Sequence, residues 1–121
     1  SGHVEVNDWA TLGGYAGVNQ FVKIGAHSMV GGVTHVAHDV PAYVIVSGQP
    51  AAVRAINSIG LERRGFDKAT VSVLRKAYKL IYLRGHSLTE ALAQLETLKE
   101  DCEPVELLID SLKSSKKGIH R

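Results

Sequence analysis

A single cysteine, Cys102, excludes an internal disulfide and fits a reducing compartment, so a cytoplasmic protein is expected. No run of about 18 apolar residues is present, so no membrane-spanning helix is expected. Residues 1–15 are neutral or acidic and lack the apolar core of a signal peptide. Basic residues are almost missing from the first part. Residues 1–50 hold one base, Lys23, against Glu5, Asp8 and Asp39, for a net −2; residues 51–121 hold thirteen bases and nine acids, for +4. The positive part reads either as a solvated helical surface or as a docking face for an anionic ligand or an acidic carrier protein. Aromatics do not interleave with these bases and no nucleic-acid motif occurs, so nucleic acid is not an expected partner.

What is present is a six-residue repeat. Val6, Leu12, Val18, Ile24, Val30 and Val36 fall on one lattice without a gap. Directly behind them stand Asn7, Gly13, Asn19, Gly25, Gly31 and Ala37, and four places on come Ala10, Ala16, Val22, Ser28, Thr34 and Val40, all small or β-branched. Gly and Asn tolerate the left-handed backbone that tight corners require, so left-handed angles are expected directly behind each aliphatic. A period of six fits neither an ordinary strand nor a helix. It fits a three-sided solenoid in which each hexad is a short strand and a turn, and three hexads close a coil. Coils should stack at about 4.8 Å with the lattice aliphatics inside. Residues eighteen apart then share an edge: Gly2, Gln20 and His38 form one column, and His3, Phe21 and Asp39 the next. The repeat stops at Pro41. The opening in mid-hexad points to further coils upstream of Ser1 and to an apolar end that favours oligomers.

The fold class expected is mostly β plus α: parallel β-helix coils over 1–50, a connecting loop over 51–66, and a helical domain over 67–121. Asp67 is placed to cap the first helix, whose apolar stripe runs through Val71, Leu74, Tyr78 and Ile81 and which Gly85 stops. Ser87 and Glu90 form a capping box for a second helix with Leu88, Leu92 and Leu95. Pro104 suits the first turn of a third, with Val105, Leu108 and Leu112 inward. The polar tail SSKKGIHR is expected to fray.

Several chemistries are not supported. His27, His35 and His38 offer no placed third partner, so no zinc or other metal is expected. Cys102 lies beside acids between helices, a poor setting for a catalytic thiol. The GGYAG and VGG glycines precede no helix and are not a phosphate loop. No cofactor is expected.

The stretches GHVEVNDWATLGGYAGVNQF, KIGAHSMVGG, DVPAYVIVSGQPA, GLERRGF and RKAYKLIY, together with the helical tail, resemble the C-terminal portion of the UDP-N-acetylglucosamine O-acyltransferases. The hexads alone indicate only the hexapeptide-repeat superfamily; the combination of GHV, QF, DVPAYV and RRGF is more specific. The resemblance covers essentially the whole chain. It implies a left-handed coil, a homotrimer with active sites between subunits, and transfer of a 3-hydroxyacyl chain from acyl carrier protein to the sugar 3-hydroxyl, the first step of lipid A biosynthesis. It implies a general-base histidine on a coil upstream of Ser1, so that no histidine of this chain takes that role. By matched motif, Gly2 offers the backbone N–H that supports an oxyanion, and His3 lies near the acyl donor. Gln20 contacts the nucleotide-sugar, Asn57 lies near the nucleotide, and Arg63 and Arg64 serve the nucleotide phosphates and the carrier protein.

Two positions depart from the family pattern: Asn19 stands where a His precedes the QF glutamine, and Ile59 where a Glu reads uracil. They leave open a divergent sugar nucleotide, such as one with an amino group at the 3-position. Two other readings stand beside this one: the related N-acyltransferase of the same pathway, and a non-catalytic solenoid scaffold or carrier-binding module.

Overall fold

The computed structural model describes residues 2–116 and 118–121. Its first part is built from six two-residue strands: β1 (Glu5–Val6), β2 (Thr11–Leu12), β3 (Gly17–Val18), β4 (Lys23–Ile24), β5 (Met29–Val30) and β6 (His35–Val36). Each of the first three pairs in parallel with the strand eighteen residues on: Glu5 with Lys23, Thr11 with Met29, Gly17 with His35. The chain therefore visits three small sheets in rotation, as the six-residue lattice requires. The lattice aliphatics of the second pass, Ile24, Val30 and Val36, are fully buried, whereas Val6 and Leu12 of the first pass remain 48% and 43% exposed. Burying a valine or isoleucine fully is worth about 1.5–3 kcal/mol, so the second pass, with Val22, Val40, Val44 and Val46 beside it, supplies most of the core energy here.

The corners differ from expectation in an instructive way. Left-handed φ does not fall on the Asn and Gly behind each aliphatic. It falls two residues further on, at His3, Trp9, Tyr15, Phe21, His27 and Val33, with φ between 58° and 65°. The glycines answer a different need, which is room. A Cβ on Gly13 would lie 2.5 Å from the Gly32 nitrogen, and one on Gly25 would lie 2.5 Å from the Ala42 nitrogen.

The columns hold for the first two passes and fail for the third. Phe21 N–H donates to the Gly2 carbonyl at 3.3 Å and the His3 and Phe21 rings stack at 4.9 Å. His38 and Asp39 do not continue these columns. Val40 pairs with Ile24, and Met29 with Ile45, both sixteen residues apart rather than eighteen. The turn after Val36 is thus two residues short, and Asp39 reaches the level of Lys23, whose N–H donates to Asp39 Oδ1 at 2.8 Å.

The C-terminal tail completes that short turn. His120 Nε2 accepts from the N–H groups of Ala37 and His38, both at 3.2 Å. Asp39 N–H donates to the Gly118 carbonyl at 2.8 Å, and His120 N–H donates to the Asp39 carbonyl at 2.9 Å, making a parallel bridge between Asp39 and Ile119. Tyr82 O–H donates to the His120 carbonyl, and Arg121 Nη2 to the Ile81 carbonyl. The described tail residues beyond Lys117 are docked, contrary to the expected fraying, because His120, Ile119 and Arg121 each meet a matched partner. Lys117 itself lies outside the described residues.

The connecting loop expected over 51–66 is also structured. β7 (Val44–Ser47) stacks in parallel on β5, and β8 (Ala52–Ile56) folds back antiparallel on β7, followed by α1 (Ser58–Arg63). A stack of parallel strands leaves an open edge; β8 covers it. Three longer helices follow: α2 (Lys68–Tyr82), α3 (Leu88–Lys99) and α4 (Val105–Lys113). Asp67 caps α2 by accepting from Thr70 N–H, and Ser87 and Glu90 close the anticipated capping box of α3. Val71, Leu74, Ile81, Leu95, Val105 and Leu108 are buried together, with Tyr43 and Leu61 in the same cluster. Tyr78 and Tyr82 pack on both this cluster and the valine-rich core of the strand region. No helix among the described residues is long and apolar enough to cross a membrane.

Candidate active site

The six residues singled out from the sequence fall at two different corners. Gly2, His3 and Gln20 share the corner that joins the third sheet to the first. Gly2 is exposed, and nothing lies within 4 Å of where its Cβ would stand, so a ligand can approach the main chain closely there. His3 is exposed and held by its left-handed backbone and by the stack on Phe21. Gln20 is exposed beside Phe21, one strand layer, about 4.8 Å, from Gly2.

Asn57, Arg63 and Arg64 gather instead near the corner between the first and second sheets. With Thr11, Met29 and Ile59 they line a cleft of about 490 Å³. Asn57 is buried; its N–H donates to the Tyr43 carbonyl at 2.7 Å and its Nδ2 to the His27 carbonyl at 3.0 Å. Gly60 is required beside it, because a Cβ there would lie 2.6 Å from Asn57 Nδ2. Arg63 is exposed on α1, and Arg64 follows at the helix end, half-buried. The exposed Ile59, 66% accessible, presents an apolar side chain to the same cleft.

Three residues of this corner carry no binding role from sequence, which weighs His27 only as a metal ligand. Trp9 and His27 are eighteen apart and Tyr43 sixteen further on, all with left-handed φ. The His27 and Tyr43 rings stack at 5.6 Å, and Phe66 meets His27 edge-on at 5.0 Å. Arg64 Nη1 lies 3.1 Å from His27 Nδ1, and its guanidinium carbon 5.7 Å from the centre of the Trp9 ring. Burial holds the His27 imidazole below its ordinary pKa; the Arg64 charge adds to this and Asp8 opposes it. The eighteen-residue column is the signal that links Trp9 to His27. Their approach to Arg64 depends on α1 and is not visible in the repeat.

Among the described residues no group of three or more His, Cys, Asp or Glu side chains is placed to hold a metal ion. The groups present at the two corners are guanidinium, amide, imidazole and main-chain donors: paired arginines suited to an anion at one corner, and an open glycine with a neighbouring imidazole and amide at the other.

Comparison with known proteins gives this arrangement a family. The model of the family described as Udp N-acetylglucosamine O-acyltransferase, Domain 2, matches residues 39–120, and the chain belongs to that family. It is 46% identical over all of its 121 residues to the acyl-[acyl-carrier-protein]–UDP-N-acetylglucosamine O-acyltransferase of Thiobacillus denitrificans, covering 47% of that protein, and equally identical to the Pseudomonas aeruginosa enzyme of the same name. Among solved structures, LpxA from Acinetobacter baumannii superposes with a TM-score of 0.95 at 42% identity, over 98% of this chain and 46% of that one. The UDP-N-acetylglucosamine acyltransferase of Francisella novicida gives 0.95 at 30% identity, over 98% and 44%. The chain thus spans about half the length of the relatives it matches.

Proposed function

We propose that the protein carrying this chain transfers a 3-hydroxyacyl group from acyl carrier protein to the 3-hydroxyl of UDP-N-acetylglucosamine, the opening step of lipid A biosynthesis, in the cytoplasm. In this reading the strands of residues 1–50 are coils of a left-handed parallel β-helix, and residues 67–121 form a helical domain that helps hold a homotrimer. The observation that carries the proposal is 46% identity along the whole chain to enzymes of that name.

The geometry supports a division of labour between the two corners. At the exposed Gly2 the main-chain N–H stabilises the oxyanion that develops as the thioester is attacked. His3 lies beside the acyl donor. Gln20, one layer away, contacts the nucleotide-sugar, and Asn57, Arg63 and Arg64 hold its uridine diphosphate part. The two groups occupy different corners of one chain, so a single site containing both draws them from adjacent subunits. The proton of the sugar hydroxyl goes to a histidine upstream of Ser1; no histidine described here is assigned that role. Ile59, exposed in the cleft, offers the base an apolar contact and no acceptor for a ring N–H, so base selectivity at this position is weaker than a carboxylate would give.

The experiment measures acyl transfer from 3-hydroxyacyl carrier protein to UDP-N-acetylglucosamine, by the 121-residue chain and by the same chain extended upstream. Turnover by the extended protein and almost none by the chain alone is expected, since proton abstraction needs a positioned base. Equal turnover by both contradicts the assignment of the base. A panel of hydroxyl and amine acceptors separates this reading from the N-acyltransferase, and binding of carrier protein without any nucleotide favours a scaffold.

A further inference from the structure

Arg64 is not left to find its own orientation. A guanidinium can only donate hydrogen bonds, so His27 Nδ1, 3.1 Å from Arg64 Nη1, must accept, and the ring proton resides on Nε2. The imidazole is itself fixed from several sides. Its residue holds φ 58°, its N–H donates to the Asp8 carbonyl at 2.9 Å, and its carbonyl accepts from Asn57 Nδ2. Tyr43 and Phe66 pack against the ring. The Arg64 guanidinium carbon also lies over the exposed Trp9 ring, 5.7 Å from its centre, where the indole face attracts a cation.

We infer that His27 and Trp9 are positioning residues for Arg64: the imidazole takes one guanidinium N–H and the indole supports the plane, which leaves the remaining donors directed at a phosphate oxygen of a nucleoside diphosphate. This rests on the nucleotide reading of the cleft and deepens it. An arginine pinned in advance loses less side-chain freedom when the anion arrives, so more of the hydrogen-bond energy appears as affinity. The arrangement also makes recognition depend on the neutral imidazole. The groups that face His27 are Arg64 from the end of α1, Asp8 from the first-pass corner and Tyr43 in the stack, with Glu5 and Asp110 of α4 in the adjoining cleft. Protonating His27 removes the acceptor and sets a second positive charge against Arg64, which releases the guanidinium.

The test is the affinity of the full-length protein carrying this chain for UDP-N-acetylglucosamine, by calorimetry from about pH 8 to about pH 5.5. The ligand's diphosphate diester keeps its charge over that range. His27→Phe keeps the ring packing and has no acceptor; His27→Asn places an amide oxygen near the position of Nδ1. The unaltered protein is expected to lose affinity on acidification. His27→Phe should bind about tenfold more weakly at pH 8, and His27→Asn should bind within about twofold of the unaltered protein and show no acid limb. Equal binding and an equal pH profile for His27→Phe and the unaltered protein overturn the inference alone. Absence of any binding by the unaltered protein removes the nucleotide reading and the inference with it. Should His27→Phe fail to fold, nitrogen-15 shifts of the imidazole still decide: a proton on Nδ1 overturns the pinning whatever the affinities are.

Discussion

Left-handed backbone at a β-branched residue is uncommon, yet Val33 holds φ 58° on the surface, 61% exposed. Its equivalents in the other hexads are His3, Trp9, Tyr15, Phe21 and His27, whose rings line the corners. At Val33 there is strain and little burial to offset it. Val33→Asn is therefore expected to raise unfolding stability by about 1 kcal/mol, read by thermal or denaturant melts, because asparagine enters this region readily. Unchanged or lowered stability would mean that the valine packs better than its exposure indicates. The repeat showed where corners fall but not which residue of each corner turns left-handed. Composition suggested Gly and Asn; the structure uses those places for close backbone contact, as at Gly13 and Gly25. A glycine pattern cannot by itself distinguish a need for conformational freedom from a need for space. Among the site residues, sequence marked Arg64 but not His27 and Trp9, which acquire their role only when α1 returns to the first corner.

At the scale of elements, local signals were the most legible. Asp67 and the Ser87–Glu90 box begin α2 and α3 where the capping rules place them, since those bonds join residues three apart. The short third pass and the docked tail were not legible, because both depend on contacts across some eighty positions: Ala37 and His38 meet His120. That contact should titrate. Burial, and then the neighbouring His38, hold His120 below the ordinary imidazole value, while Asp39 pulls the other way. A histidine with a lowered folded pKa lends stability that is complete above about 6.5 and drains away as pH falls toward the folded value. Amide-exchange protection at Ala37, His38 and Asp39 is expected to fall between about pH 7.5 and about 5.5. His120→Gln, whose side-chain oxygen can accept at the place of Nε2, should remove that dependence. Protection unaffected by acid in the unaltered protein would contradict a neutral His120 latch.

For the whole molecule, the central feature is that the six residues marked by motif lie at two separate corners of one chain. Gly2, His3 and Gln20 stand between the third and first sheets; Asn57, Arg63 and Arg64 stand between the first and second, on α1 and its approach. The first-pass aliphatics Val6 and Leu12 stay 48% and 43% exposed, while residues 51–121 carry a net +4. The six-residue period announced the corners, and the motifs named the residues. Neither could say that the two sets face different directions, since that follows from three-fold rotation of the strands. A threefold assembly that brings one corner of each subunit to another corner of its neighbour unites them in three equivalent sites. The most direct measurement is subunit complementation in the full-length protein, mixing two variants each inactive alone, Gln20→Ala and Arg64→Gln, and assaying acyl transfer after reassembly. Shared sites predict recovery of about a quarter of the unaltered activity, because that fraction of sites draws both intact corners from different subunits; no recovery from well-mixed trimers would contradict a site built between chains.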